Sequence, residues 1–242
     1  MATSTTLRYS NPNVSTSVSA EQFPWESGVP VNKFWKGISW MVCIHFLGNF
    51  TTEELLILPI DAAITAGLNN KEKIQLLLKI LQDRSSGGAI PVNSKAWNRL
   101  MYAIFILQKE LRLTQEAGRS IRALVAAEEG SPSIVMKQAL AHQLIDEWKF
   151  TEAEGLIRPA CDEIDATSVG RNSPQGIGYR RTLLEAIWKQ GVERRDEAFE
   201  MEEEIIARIE GMAGGEFAVY VDAEREELRN LMGDLAFKKL AC

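Results

Sequence analysis

The stretch LAHQLIDEWKFTEAEGLIRPA, residues 140–160, carries the reading of the fold. An apolar helical pattern runs into a short turn. A second helix then opens at Phe150-Thr151-Glu152-Ala153-Glu154, with acidic residues beside a small one. Three other segments echo it: Gly48-Asn49-Phe50-Thr51-Thr52-Glu53-Glu54-Leu55, Leu113-Thr114-Gln115-Glu116-Ala117 and Gly191-Val192-Glu193-Arg194-Arg195-Asp196-Glu197-Ala198. A recurring helix–turn–helix unit is the signature of an α-helical array, whose units bury their apolar faces only by stacking on neighbours.

Working outward, almost everything from Asn32 onward reads as helix. Trp40, Ile44 and Leu47 form one stripe of a helix over 33–47. Thr51 and Glu54 match a capping box, in which each side chain satisfies an amide of the first turn. The helix they open runs to about residue 66, with a kink expected at Pro59 because proline removes an amide and clashes one turn back. Ile74, Leu77, Leu78 and Leu81 mark a helix over 71–83, and the Ser-Ser-Gly-Gly and Pro91 of residues 83–94 mark a loop. Ser94 and Thr114 are expected to cap helices reaching about 111 and 127. After the Gly130-Ser131-Pro132-Ser133 break a helix extends to about 148, and Thr151 with Glu154 gives a second capping box for a helix to about 165. Ser173-Pro174 is a cap followed by proline at the first helical position. Helices over 175–190, 193–211 and 217–240 complete an all-α chain of about ten antiparallel helices. Residues 1–20, rich in Ser, Thr and Asn, have the composition of a flexible or surface-packed tail. Residues 21–242 are expected to form a single helical domain, with Phe23 and Trp25 in an extended lead-in.

The composition is that of an ordinary soluble chain. Of 242 residues, 45% are hydrophobic and 25% charged, enough for a sizeable core. The net charge of −6 argues against a nucleic-acid surface, since neutralising phosphates takes clustered Lys and Arg. Cys43, Cys161 and Cys242 are too few and too scattered for a disulfide framework or a CxxC metal site. The N-terminal residues lack the apolar run of a secretory signal, and no segment approaches the ~18 apolar residues of a membrane span. A cytoplasmic protein with no membrane partner is expected.

The positions within the central stretch are specific. Counting back from Ala153, Leu140, Ala141 and Leu144 fall where tetratricopeptide (TPR) repeats place a leucine, a small residue and an aromatic in the first helix. Ile157 and Ala160 fall where that repeat places an aromatic and a small residue in the second. Small residues at these points let the paired helices cross closely. Around Ala117 the match is partial, with Ile104, Ile121 and Leu124 in place and Phe105 replacing the small residue. The Leu55 and Ala198 copies mirror each other through Ile44…Gly48…Leu55 and Ile187…Gly191…Ala198. The anchors lie 62, 36 and 45 residues apart, against ~34 for a regular TPR unit. The chain therefore resembles a degenerate TPR-like array over residues 95–211, and more weakly over 34–66, closed at its N-terminal end by an aromatic-rich segment.

That resemblance implies a non-catalytic binding module that accepts a peptide or partner protein on a concave helical face. Aromatic and arginine side chains dominate interface energies, which selects Trp148, Trp188, Arg180 and Arg181 as contact residues. Seven of the 19 aromatic residues lie between Phe23 and Phe50. They raise an alternative of a different class: a cofactor-independent enzyme of cyclase or isomerase type, or a carrier. Trp35, Trp40 and Phe46 would then wall a pocket for an apolar small molecule, and His45 would be its only catalytic candidate. His45 and Cys43, two residues apart, point to different faces of a helix and form no dyad. His142 with Asp146 reads as an ordinary helix-surface pair. Two histidines without HExxH or Cys/His spacing supply no metal site, and the absence of GxGxxG, P-loop, GxSxG and DDxxD motifs points to no cofactor.

Overall fold

The computed structural model of the protein describes residues 34–35, 37–58, 60, 67–88, 90–128, 130–167 and 170–237, with the backbone alone at Trp40, Thr52, Leu56 and Phe237. The expected tail over 1–20, the lead-in with Phe23 and Trp25, and the expected kink at Pro59 lie outside these residues. The described residues form ten α-helices, two short 3-10 turns and no strand. We number the helices α1 (Trp40–Leu47), α2 (Thr52–Ile57), α3 (Asn70–Ser86), α4 (Lys95–Glu110), α5 (Thr114–Ala127), α6 (Ile134–Asp146), α7 (Phe150–Asp165), α8 (Pro174–Lys189), α9 (Arg195–Gly211) and α10 (Val221–Phe237). The chain divides into two compact units, one within Val18–Met136 and one that includes Lys137–Cys242.

In the first unit α4 packs on α1, α3 and α5. Phe34, Val42, Phe46, Leu77, Leu81, Leu100 and Leu107 form its core and are buried almost completely. The first helix is shorter than its apolar pattern suggested. Residues 34–35 and 37–39 turn back instead, and Ser39 caps α1 by accepting the Val42 amide at 3.4 Å. Gly37 makes that turn possible. Its φ is 83°, and a Cβ there would lie 2.7 Å from Asn70 Nδ2, which donates to the Gly37 carbonyl at 2.7 Å. The Thr51–Glu54 capping box forms as expected, at 2.8 and 3.2 Å. A second box, Asn69 with Glu72, opens α3.

In the second unit α8 packs on α7, α9 and α10. Of the positions that carry the repeat pattern, Ala141, Ala153, Ile157, Ala160, Ile187 and Ala198 have no exposed surface, Leu144 is buried and Leu140 is half-buried. Ser173 caps α8 through the Gly176 amide at 3.0 Å, with Pro174 first in the helix.

Two expected caps are corrected by the turns that precede them. Thr114 opens α5 from inside the helix and Leu113 holds the cap position. Likewise Thr151 and Glu154 lie inside α7, which starts at Phe150 behind Lys149. In both turns the chain closes tightly with a bond spanning five residues, Leu113 N to Gln108 O at 2.9 Å and Lys149 N to Leu144 O at 2.8 Å. This closure starts the next helix before the threonine can act as its cap. The Thr151 hydroxyl instead meets Gln190 Oε1 at 3.5 Å, and Glu154 reaches Arg158, Gln190 and Arg194.

Candidate functional site

The turn between α6 and α7 exposes the most conspicuous side chain among the described residues. As α6 ends, Trp148 N donates to Ile145 O at 3.1 Å and Lys149 N to Leu144 O at 2.8 Å. That closure requires one residue in the left-handed region, normally glycine or asparagine. Here the residue is Trp148, with φ of 63°. Its counterpart between α4 and α5 is Arg112, with φ of 58°, while Gly191, with φ of 129°, lies between α8 and α9. A bulky side chain in this conformation costs ~1 kcal/mol. The indole gains little from the fold in return, because Trp148 is 79% exposed. Phe150 lies beside it with ring centroids 5.8 Å apart, and Lys189 Nζ stands 5.8 Å over the Phe150 ring. The last turn of α8 thus adds a cation to an aromatic edge built by the α6–α7 turn.

The other residues selected from the second unit are built into the fold. Trp188 is buried against α9, with the Arg195 guanidinium carbon 3.6 Å over its ring and Phe199 edge-on at 5.6 Å. Trp188 and Lys189 are neighbours in sequence, yet one contacts α9 and the other reaches Phe150 of α7. Arg180 is 5% exposed and bonds Asp165 at 2.7 Å and Glu204 at 2.8 Å. Arg208 binds the same two carboxylates, so four charged groups tie α7, α8 and α9 together. Burial works to raise the pKa of Asp165 and of Glu204, and the two guanidiniums outweigh it, holding both below the usual carboxylate range. Arg181 binds Glu224 and Glu227 of α10. Burial pushes Glu224 up to about 7 against the opposing pull of Arg181, with Glu227 adding to the rise.

A further charged group, without a local sequence signal, joins α7 to the segment entering α9. Arg194 binds Glu154 at 3.0 Å and also Glu197, while Arg158 bridges Glu154 at 2.5 Å and Glu197 at 2.6 Å. Burial opposes ionisation of Glu154, but hydrogen bonds from Arg194, Gln190 and Arg158 prevail and hold its pKa at about 2.

In the first unit the structure brings Trp35 and Phe46 together. Trp35 is half-buried, edge-on to Phe34 at 5.1 Å and tilted against Phe46 at 5.8 Å, and Phe50 continues the row at 4.9 Å from Phe46. Trp40 opens α1, and its side chain is outside the described part. His45 stands edge-on to the Tyr102 ring at 5.0 Å, where burial pushes its pKa down to about 4. Burial also pushes the Cys43 thiol up to about 11. At neutral pH both groups are uncharged. Among the described residues no cluster of His, Cys, Asp and Glu could hold a metal ion, and no helix is long and apolar enough to cross a membrane.

No protein-family model matches the chain, and no curated protein matches it in sequence. Its structure is similar to a crystal structure of the nearly identical TPR-like repeats of a Podospora anserina kinesin light chain. The two are 14% identical, with a TM-score of 0.52 over 68% of this chain and 86% of the other. At that identity the likeness is one of fold: the chain has a TPR-like helical-repeat fold.

Proposed function

We propose that this TPR-like chain is a non-catalytic binding module for a peptide or partner protein, and that Trp148 anchors the contact. The observation that carries the reading is a tryptophan 79% exposed at a left-handed position where glycine or asparagine would serve the fold better. Indole is the side chain most enriched where binding energy concentrates, because it buries ~150–250 Å² with few rotamers to freeze. Phe150 and Lys189 widen the edge with a second ring and a cation. In this reading Arg180, Arg181 and Trp188 act indirectly, by holding α7, α8, α9 and α10 in register behind that edge. Their internal partners support the assignment. The thiols of Cys43 and Cys161 are unpaired, which suits a cytoplasmic protein.

The enzyme or carrier alternative draws less support. The rings of Trp35, Phe46 and Phe50 pack on one another and on Phe34, as core does, and His45 faces an aromatic ring.

Trp148→Asn tests the proposal, because asparagine keeps the left-handed turn and removes only the anchor. Arg112→Asn makes the same change at the equivalent turn of the first unit. Quantitative affinity capture with the wild type and both variants should yield partners depleted about tenfold or more by Trp148→Asn and retained by Arg112→Asn. Equal recovery on all three proteins would overturn the assignment of Trp148.

A further inference from the structure

The second unit carries an apolar cleft between its last two helices, α9 and α10, with charged side chains in its lining. Helix α9 packs on α8 and is tied to α7 along its length, through Arg194 to Glu154, Glu197 to Arg158 and Arg208 to Asp165. Side-chain ion pairs thus hold α9 alongside α7 while it packs on α8. Helix α10 then packs on both α8 and α9. A cleft of about 320 Å³ lies between α9 and α10. Ile206, Ile209, Leu228 and Met232 floor the cleft. These residues are spaced three and four apart on their helices, so the floor presents two layers about one helical turn apart. Ile206 is 43% exposed, a large aliphatic group left open to solvent in the middle of α9.

The rim carries opposite charges on its two sides. Glu202 lines the α9 wall, and Arg225 and Arg229 line the α10 wall one turn apart. The arginines bond Asp222 and Glu226 of their own helix. Such exposed pairs three residues apart are worth little, and an incoming carboxylate can compete for them. On the other wall, burial and the neighbouring Glu203 raise the Glu202 pKa, so a cation brought alongside would relieve the site. Between α7 and α9 the same unit already joins helices by pairs of opposite charge, as Asp165 with Arg208 and Arg158 with Glu197.

We propose that the α9–α10 cleft is a docking seat for an amphipathic helix of a partner protein, with an apolar stripe flanked by Lys or Arg toward Glu202 and by Asp or Glu toward Arg225 and Arg229. The sequence of residues 1–33, rich in Ser and Thr and carrying Pro12, Pro24 and Pro30, lacks the charge-flanked apolar stripe that the cleft calls for. The seat is separate from the Trp148 edge, so Trp148→Asn leaves it intact and Ile206→Glu leaves the Trp148 contact intact.

Three labelled 18-residue helical peptides sharing one leucine stripe serve as probes for the full-length protein. One carries Lys on one flank and Glu on the other, one carries Lys on both, and one carries Glu on both. The comparison is insensitive to the direction in which a peptide lies. In fluorescence anisotropy the mixed peptide should bind at least about tenfold more tightly than either single-sign peptide. Ile206→Glu should abolish that binding, and Arg225→Glu with Arg229→Glu should transfer preference to the all-Lys peptide. All three substitutions are at exposed side chains, and matching thermal unfolding curves verify that the variants fold. Equal binding of the three peptides, or binding indifferent to Ile206→Glu, overturns the proposal. So does concentration-dependent dimerisation that Ile206→Glu removes without any peptide binding, which would assign the seat to a second copy of the chain.

Discussion

The two units bury similar helices by different means. In the first, Phe34, Phe46 and the leucines of α3 and α4 fill the core, with aromatic rings stacked on one side and Arg84 clasping Glu54 at 2.9 Å. In the second, many of the apolar contacts are small, as at Ala141, Ala153, Ala160, Ala186 and Ala198, and buried arginines link one helix to another. Small residues let helices approach closely but contribute little transfer free energy, at ~0.8 kcal/mol for each buried methylene. The ion pairs add orientation. They recur at a nearly fixed separation, with Arg158 and Glu197 39 residues apart, Arg194 and Glu154 40, and Arg208 and Asp165 43. Charged groups thus keep the helices of the second unit in step, whereas shape does so in the first.

Paired substitutions test that distinction most strongly. Phe46→Ala should cost ~3–5 kcal/mol through lost burial and the cavity left behind. Arg208→Met, which keeps the volume but leaves Asp165 and Glu204 to share Arg180, should cost about 3 kcal/mol. Urea unfolding measures both. A loss below ~1 kcal/mol for Arg208→Met would mean that the charged cluster merely accompanies the fold of the second unit.

Acidity acts with opposite sign on two buried groups, one in each unit. His45 has a folded pKa of about 4 against an ordinary 6.5, so on acidification the unfolded chain takes the proton first. Its contribution, complete above pH 6.5, is lost as pH falls to about 4 and amounts to at most ~3 kcal/mol. Glu224 is displaced the other way, from 4.5 to about 7. The folded chain holds that proton longer, so this contribution is complete below pH 4.5 and is lost as pH rises to about 7. Between pH 4.5 and 6.5 the two groups tilt stability in opposite directions. His45→Phe should flatten the rising slope of a melting-temperature profile and Glu224→Gln the falling one. A profile unchanged by either substitution would remove this contrast between the two groups.

The smallest effect is expected at the turns. Trp148→Asn should raise stability by about 1 kcal/mol by easing the left-handed backbone, an increase visible as a higher urea midpoint. Arg112→Asn should act in the same direction. A decrease for Trp148→Asn would show that the indole supports the fold through Phe150, and would move Trp148 from the binding edge to the frame.

What was legible in the sequence were features written within one or two helical turns. The capping box at Thr51, the caps at Ser94 and Ser173, the break at Gly130 and the buried anchors Ala117, Ala153 and Ala198 follow from local spacing. The box read at Thr151 did not form, because its spacing is equally met one turn inside a helix, and the closure at Lys149 starts α7 early. The partners of Arg180 and Arg181 lie 15 to 46 residues away, among many acidic residues equally eligible in sequence. Nor does any local pattern announce that Trp148, rather than a neighbour, takes the left-handed position. That follows from where α6 ends, which the burial of Leu144 and Ile145 decides. The α9–α10 cleft was hidden for a similar reason, since nothing in the local sequence sets Ile206 and Leu228 apart until the helices are placed.

The left-handed tryptophan also has a hereditary side. The codon TGG is one base change from GGG, a glycine codon, and glycine suits the conformation of residue 148 better than any other residue. Mutation therefore offers this turn a more comfortable occupant in a single step. How long a lineage keeps the indole despite that offer measures what the side chain is worth to something other than its own fold.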